Sequence, residues 1–172
     1  MKKILCILLA LSLMLCFSAC DSIENTLETL VLTANAKTFT VDELTLELTR
    51  DFMRMDILVP DTDFCISSGD VVIAGWRIDY DENELEDISA RDYAAAFREA
   101  MDEPTMTEIA DLNGIPTMQY QSINADDETQ TVFIAVYESS QCLWLLEFIF
   151  DLEDYDELYP TVEQYALSVT CE

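Results

Sequence analysis

The sequence predicts an α+β domain in which a mainly antiparallel β-sheet is covered on both faces by helices and loops, an α/β/α sandwich. Two observations lead to this fold class. Several short stretches with strand patterning are joined by tight turns, and such turns make neighbouring strands antiparallel. Residues 142–150 carry apolar side chains on both faces, and a strand of this kind needs cover on both sides of its sheet. We therefore place this strand at the centre of the sheet.

The first predicted hairpins lie between residues 37 and 78. Residues 38–41 and 44–49 are predicted strands joined by Asp42-Glu43. Residues 64–67 and 71–78 are predicted strands joined at Gly69. The residues between the two hairpins, 51–63, contain Pro60 and several aspartates, and they are predicted to form a loop over the sheet.

Two helices are predicted, one in the middle of the chain and one near its end. Ser89 with Asp92 three residues later is a capping-box arrangement, and Pro104 ends this helix region. One stripe of this helix carries Tyr93, Phe97, Ala100 and Met101. The closing helix is expected from about Pro160, a good first-turn residue, to about Thr170.

The remaining strands form two further hairpins. Residues 105–112 and 115–123 flank Asn113-Gly114, the strongest short hairpin signal. Residues 129–138 and 142–150 flank a three-residue turn at 139–141. The order of elements is thus several strands, a helix, four strands and a helix.

The N-terminus has the pattern of a targeting segment. Lys2 and Lys3 precede an apolar run over residues 4–17, which is too short to span a membrane and fits a signal peptide. The residues that end it, Phe17-Ser18-Ala19-Cys20, resemble the lipobox of bacterial lipoproteins. The resemblance implies that Cys20 is acylated and holds the protein on the extracytoplasmic face of the cell membrane. The alternative is an ordinary signal peptide cut near Ala19, which leaves Cys20 a plain thiol.

This reading divides the chain into a signal peptide (1–19), a tether or spacer (20–36) and a folded domain (37–172). Cleavage removes two of the eight basic residues and none of the 35 acidic ones. A body of this charge repels nucleic acid, because binding to phosphate requires clustered lysine or arginine. The sequence therefore predicts an acidic, exported domain with no nucleic-acid partner.

The sequence lacks the residues that most catalytic mechanisms require. Histidine is absent, which removes the commonest general base, the usual nucleophile pairs and most zinc sites. With three glycines and no Gly-rich loop, the chain also lacks a phosphate-binding loop. The sequence predicts that the protein is not an enzyme and has no cofactor, with calcium as a weak alternative.

Three cysteines belong to the predicted domain: Cys65, Cys142 and Cys171. An exported location permits one disulfide, but its connectivity cannot be read from the sequence. Packing as small apolar side chains is an equally good interpretation for Cys65 and Cys142.

The acidic residues offer two candidate sites. Residues 79–87 place oxygen ligands at calcium-loop positions on Asp79, Asp81, Asn83 and Asp87. Glu84 stands where the loop needs glycine, so a solvated acidic loop is the plain interpretation and a weak divalent-cation site the alternative. Glu147 lies alone among apolar residues of the central strand, where we expect a wet position or an ion pair with Arg77 or another arginine. A carboxylate-based hydrolase is the remaining interpretation of such residues.

Several motifs together resemble a known family. They are F-T-V-x-x-L-T-L-E-L from residue 39, F-x-I-S-S-G-D from residue 64 and N-G-I-P from residue 113, in addition to the lipobox, the capped helix and the terminal helix. In order and spacing over residues 37–171, the chain resembles small bacterial lipoproteins with a PsbP-like fold. This fold is similar to that of the extrinsic photosystem subunit PsbP and of a nuclear-import factor that binds Ran. No functional motif comes with the resemblance.

The resemblance and the missing catalytic groups lead to one functional expectation. The protein is expected to be a non-enzymatic cell-envelope protein, anchored by lipid on Cys20, that binds a protein partner or assists assembly of a complex. The alternatives are a solute- or divalent-cation-binding lipoprotein that uses residues 79–87 and, more weakly, the hydrolase.

Overall fold

The computed structural model describes residues 36–55, 59, 61–83 and 88–171, except the side chains of residues 82 and 83. The predicted signal peptide, lipidation site and nearly all of the spacer lie outside these residues. The strands are β1 (Ala36–Val41), β2 (Leu44–Thr49), β3 (Met53–Arg54), β4 (Phe64–Ser67), β5 (Val72–Asp79), β6 (Ala110–Leu112), β7 (Ile115–Ile123), β8 (Thr129–Glu138), β9 (Cys142–Asp151) and β10 (Thr170–Cys171). The α-helices are α1 (Tyr80–Asn83), α2 (Ala90–Met101) and α3 (Tyr155–Ser168), and a 3₁₀ turn, Leu152–Asp154, precedes α3.

Seven strands form the main sheet, in the order β3-β4-β5-β9-β8-β7-β6, and all neighbours are antiparallel. Strand β9 occupies the middle of this order, as predicted from its two apolar faces. A smaller sheet has the order β1-β2-β10. The α+β fold class is confirmed, whereas the sequence does not predict that β1 and β2 form a separate sheet with the end of the chain.

Each face of the main sheet packs against different elements. On one face lie Trp144, Phe148 and Phe150, all buried, together with α3 and the small sheet. Tyr137 Oη donates a 2.9 Å hydrogen bond to the carbonyl of Ala166 in α3, and the Phe133 ring lies 5.8 Å from that of Tyr159. On the opposite face, α2 contributes Ala90 and Ala94 to an apolar cluster. The other members of the cluster are Met106, Met118, Val132, Ile134, Val136, Leu143 and Leu145.

Two edges of the main sheet differ from the prediction. Within the predicted loop 51–63, Met53–Arg54 forms a short strand that pairs with β4. At the other edge only Ala110–Leu112 of the predicted strand 105–112 is a strand. There the hydroxyls of Thr107 and Thr105 accept hydrogen bonds from the backbone N–H groups of Gln119 and Gln121, in place of a regular ladder.

The predicted start of α2 is confirmed, but part of its apolar stripe is not. Ser89 is the N-cap residue, and its Oγ accepts a 3.1 Å hydrogen bond from the Asp92 N–H. Ala90 and Ala94 are buried, whereas Met101 is 42% exposed and Ala100 is exposed too. Met106, which follows the helix, contributes to the core in their place.

The closing helix begins earlier than predicted. It starts at Tyr155 rather than near Pro160, because the 3₁₀ turn leads directly into it and the Tyr155 and Tyr159 rings stack 4.9 Å apart within its first turns. It ends at Ser168, and Thr170 and Cys171 pair with Thr45 and Leu44 of β2. In the part of the chain that the structure describes, no helix is long and apolar enough to cross a membrane.

Candidate functional site at one end of the sheet

The sequence-predicted cation ligands are only partly placed by the structure. Asp79 is the last residue of β5 and forms an ion pair with Arg77. Asp81 is exposed on α1, and Asn83 ends that helix, so the prediction of a loop is wrong over residues 80–83. The Asn83 side chain and Asp87 lie outside the described residues. Within the described ranges no group of three or more His, Cys, Asp or Glu side chains is arranged to hold a metal, and the cation site stays a prediction.

A network centred on Glu43 lies beside Asp79. Glu43 occupies the two-residue turn between β1 and β2, where Asp42 has a φ of 49°. Three donors converge on its Oε1 oxygen: Arg77 Nε at 3.1 Å, Trp144 Nε1 at 3.1 Å and Cys142 Sγ. The network therefore joins the small sheet to the two central strands, β5 and β9.

The environment of Glu43 keeps its carboxylate ionised. Burial acts to raise its pKa, but the hydrogen bonds from Cys142, from the backbone at Glu43, from Arg77 and from Trp144 together outweigh burial and lower the pKa to about 2. Burial also acts to lower the pKa of Arg77, and the hydrogen bond and charge of Glu43 reverse this effect and raise it. The pair stays charged across the range in which proteins normally function.

The same environment makes Cys142 a poor nucleophile. Burial and the hydrogen bond to Glu43 raise the pKa of its thiol to about 11. The Ser139 hydroxyl lies 3.3 Å from the sulfur and does not offset these effects. Since the thiolate is the reactive form, a thiol protonated at neutral pH has little nucleophilic reactivity.

A polar cleft of about 650 Å³ opens at this end of the sheet. It lies between α1, the start of α2 and the turn from β8 to β9, and it is lined by Tyr80, Asp81, Ile88, Ser89, Glu138, Ser139 and Ser140. The Tyr80 N–H donates to the carbonyl of Gln141 at 3.2 Å, which holds α1 against the β8–β9 turn. These contacts give the cleft a wall built on helix and strand ends.

The charge of the cleft is negative. Glu138 lies at the end of β8, and its Oε2 accepts a 3.1 Å hydrogen bond from the Ala90 N–H at the start of α2. Asp81, which is exposed, also lines the cleft. Burial, and then the charge of Glu138, raise the pKa of Tyr80, so its phenol remains neutral. The cleft therefore offers carboxylates and a phenol beside the apolar side chain of Ile88, which suits a positively charged group with an apolar stem.

Glu147 lies away from this site. In register it is flanked by Ala74 and Ile134, and it points to the face of the sheet that α2 covers, whereas Arg77 points to the other face. Of the alternatives expected for Glu147, the ion pair with Arg77 is therefore wrong. Burial raises the pKa of Glu147 to about 7, and within the described part of the chain neither a hydrogen bond nor an ion pair involves its side chain.

The comparisons with known proteins concern the fold. No protein-family model and no curated protein matches this sequence. A solved structure of cyanobacterial PsbP from Synechocystis is similar with a TM-score of 0.53 at 11% identity, covering 81% of this chain and 94% of that one. A variant of the protein Mog1 is similar with a TM-score of 0.51 at 11% identity, covering 80% of this chain and 96% of the other. The fold is PsbP-like.

A protein from Bacteroides thetaiotaomicron is also similar, with a TM-score of 0.55 at 7% identity. This chain is covered over 80% of its length but spans only about half, 49%, of that larger protein. At such identities the similarity extends to the PsbP-like fold and not to any residue of the site.

Sequence reasoning identified neither the Glu43 network nor the end cleft. One signal was available: Arg77 stands in an otherwise apolar strand, and a charge in such a strand requires a partner. One partner is Asp79, two residues later in the same strand, and the other is Glu43, 34 residues earlier in the β1–β2 turn.

Proposed function

We propose that this protein is a non-enzymatic binding module of the cell envelope, held on the extracytoplasmic face of the membrane by lipid on Cys20. The lipobox-like segment before Cys20 supports the anchor, and the PsbP-like fold supports a domain of the binding or assembly type. The domain that follows the anchor binds a partner through its surface and does not catalyse a reaction.

The acidic end cleft is the observation that carries the proposal. It combines the Asp81 and Glu138 carboxylates with the half-buried Ile88 side chain and a volume of about 650 Å³. We assign to it a basic segment of a protein partner, whose lysine or arginine stem packs against Ile88 while its charge meets the carboxylates. The 35 acidic residues of the chain add a long-range field that speeds the approach of such a partner.

The chemistry of the neighbouring groups supports the absence of catalysis. Cys142 is protonated, and the Glu43 carboxylate accepts hydrogen bonds from three donors. A general base needs an accessible lone pair and a pKa near the working pH, and the Glu43 carboxylate, with a pKa of about 2, is a weak base.

The test is a capture experiment with the mature chain, residues 20–172, carrying Cys20→Ser to keep it unacylated. Partners captured from envelope extracts are identified by mass spectrometry, and capture is repeated with the pair Asp81→Asn and Glu138→Gln. We expect the specific partner to be lost from this variant and to be released from the unsubstituted chain by salt, since exposed charge pairs are screened.

The matched control is the pair Asp126→Asn and Asp127→Asn, which removes the same charge from the exposed β7–β8 turn. Asparagine tolerates the positive φ of 63° at position 127, so the turn is preserved. Equal capture by the cleft variant and the control would show that the cleft is not the binding site.

A further inference from the structure

A second cavity, of about 310 Å³, lies at the β7 edge of the main sheet, apart from the acidic end cleft. It is lined by Gln119, Tyr120 and Gln121 of β7 and by Thr131 of β8, together with Leu152 of the 3₁₀ turn and Tyr155 at the start of α3. Thr105 and Thr107, which run beside β7, complete the wall. The volume is at the lower end of the range for ligand sites and matches one small ring.

The lining is neutral, which is unusual in this chain. Every described residue that lines the cavity is uncharged, although the sequence contains 35 acidic residues. By contrast, the adjacent cavity is lined by three acidic residues, Glu128, Asp151 and Glu153. This arrangement disfavours an anionic ligand by repulsion and offers no ion-pair partner within the cavity to a cationic one.

Hydrogen-bonding groups of the lining are left unused. Tyr155 Oη donates to Gln119 Oε1 at 3.3 Å, which leaves the Gln119 amide N–H groups without a partner among the described residues. The Gln121 side-chain amide likewise has no described partner. The Thr107 Oγ accepts from the Gln119 N–H at 3.1 Å and keeps its own proton to donate.

Thr131 contributes to the wall of the cavity a buried hydroxyl that has no hydrogen-bond partner in the described part of the chain. It is only 3% exposed, and among the described side chains its Oγ1 is a buried polar atom with no hydrogen-bond partner. An unsatisfied buried hydroxyl destabilises the folded protein. Because Thr131 also lines the cavity, a ligand hydroxyl that reaches Oγ1 would supply the missing partner.

The aromatic side of the cavity is rigid. The Tyr155 ring stacks on Tyr159 with centroids 4.9 Å apart and an interplanar angle of 20°, and it lies 6.0 Å from the ring of Phe150. The Tyr155 side chain, held between these two rings, places apolar C–H surface beside the amides and hydroxyls of the lining. This combination matches a molecule with both C–H faces and many neutral hydroxyl groups.

We propose that this cavity binds one neutral sugar ring, with hydrogen bonds to Gln119, Gln121 and Thr131 and its C–H groups against the Tyr155 side chain. The site is separate from the end cleft, so that each can exist without the other.

The proposal is tested by NMR titration of the ¹⁵N-labelled chain, residues 20–172 with Cys20→Ser. The probes are methyl glucoside, methyl galactoside, methyl mannoside and N-acetylglucosamine, with glucuronate as the charged comparison. We expect at least one neutral sugar to shift the side-chain amide signals of Gln119 and Gln121 in a saturable way, and glucuronate to bind at least about 10-fold more weakly. If none of the four neutral sugars shifts these signals, the proposal is wrong.

Substitutions separate sugar binding from a structural role of the hydroxyl. Thr131→Val removes the unpartnered hydroxyl, so we expect the unliganded protein to become more stable while sugar affinity falls about 3- to 10-fold, the effect of one hydrogen bond. The matched control is Thr117→Val, a buried threonine on the same sheet face that does not line the cavity, and it should leave sugar affinity unchanged.

Gln121→Ala, at an exposed position that tolerates truncation, should weaken the same sugar by a similar factor without changing the fold. Undiminished affinity in both Thr131→Val and Gln121→Ala would overturn the assignment, even if a sugar binds elsewhere on the protein.

Discussion

Two half-buried glutamates in this protein have opposite pKa shifts because their partners differ. Glu43 receives hydrogen bonds from Cys142, from the backbone at Glu43, from Arg77 and from Trp144, which outweigh burial and lower its pKa to about 2. Glu147 lies between Ala74 and Ile134 in the sheet, and burial raises its pKa to about 7. A carboxylate is thus kept charged where donors converge on it and pushed toward its neutral form where none do.

The raised pKa of Glu147 predicts a pH-dependent stability. The carboxyl group ionises near 4.5 in the unfolded chain and near 7 in the folded protein, so the free energy of unfolding falls as the pH rises through this interval. Glu147→Gln keeps the shape and removes the ionisation. We expect the variant to be more stable than the unsubstituted protein by about 2–3 kcal/mol at pH 8 and to match it near pH 4.

Urea unfolding at several pH values measures this difference. Glu47→Gln, at an exposed position on β2, is the control and should change the free energy of unfolding by less than about 0.5 kcal/mol at every pH. A Glu147→Gln effect that is constant between pH 4 and pH 8 would contradict the pKa assignment.

At the scale of elements, the sequence predicts what local patterns determine. Asn113-Gly114 forms the expected hairpin, with φ values of 53° and 90°, and Gly69, with a φ of 102°, turns the β4–β5 hairpin. Ser89 caps α2 as its spacing with Asp92 indicates. In each case residues close together in the sequence determine the turn or the helix cap.

Elements that depend on distant partners are the ones that sequence reasoning misses. Strand β10 has two residues and exists because it pairs with β2, more than 120 positions earlier. Helix α3 begins before Pro160 because the Tyr155 and Tyr159 rings pack on Phe150 and Phe133. The Glu43 network, the acidic end cleft and the neutral cavity likewise form only where separate elements meet, so no local sequence motif predicts them.

The β4–β5 pair contains a close approach that only glycine permits. Gly75 lies opposite Phe64, and a β-carbon at Gly75 would overlap the Phe64 ring, which also lies 5.8 Å from the ring of Trp144. We expect Gly75→Ala to lower the free energy of unfolding by about 1–3 kcal/mol through overpacking, as measured by chemical denaturation.

The Phe64→Leu background provides the control for this effect. If the ring causes the cost, the Gly75→Ala penalty should shrink to below about 1 kcal/mol when leucine replaces it. An equal penalty in both backgrounds would mean that the backbone of β5, and not the Phe64 ring, requires glycine.

The whole molecule consists of a PsbP-like body and a proposed lipid anchor. The body joins two sheets through the Glu43 network and carries an acidic cleft at one end and a neutral cavity at one edge. An anchor on Cys20 would confine these sites to the membrane surface, where a local partner is met at high effective concentration. The proposed role at the membrane surface therefore depends most on lipidation of Cys20.

Membrane fractionation of the full chain, with metabolic labelling by a palmitate analogue, tests this claim directly in a bacterial host. We expect the unsubstituted chain to incorporate label and to sediment with membranes, and Cys20→Ser to lose both the label and the membrane association. A Cys20→Ser chain that still sediments with membranes as completely as the unsubstituted one would contradict the account.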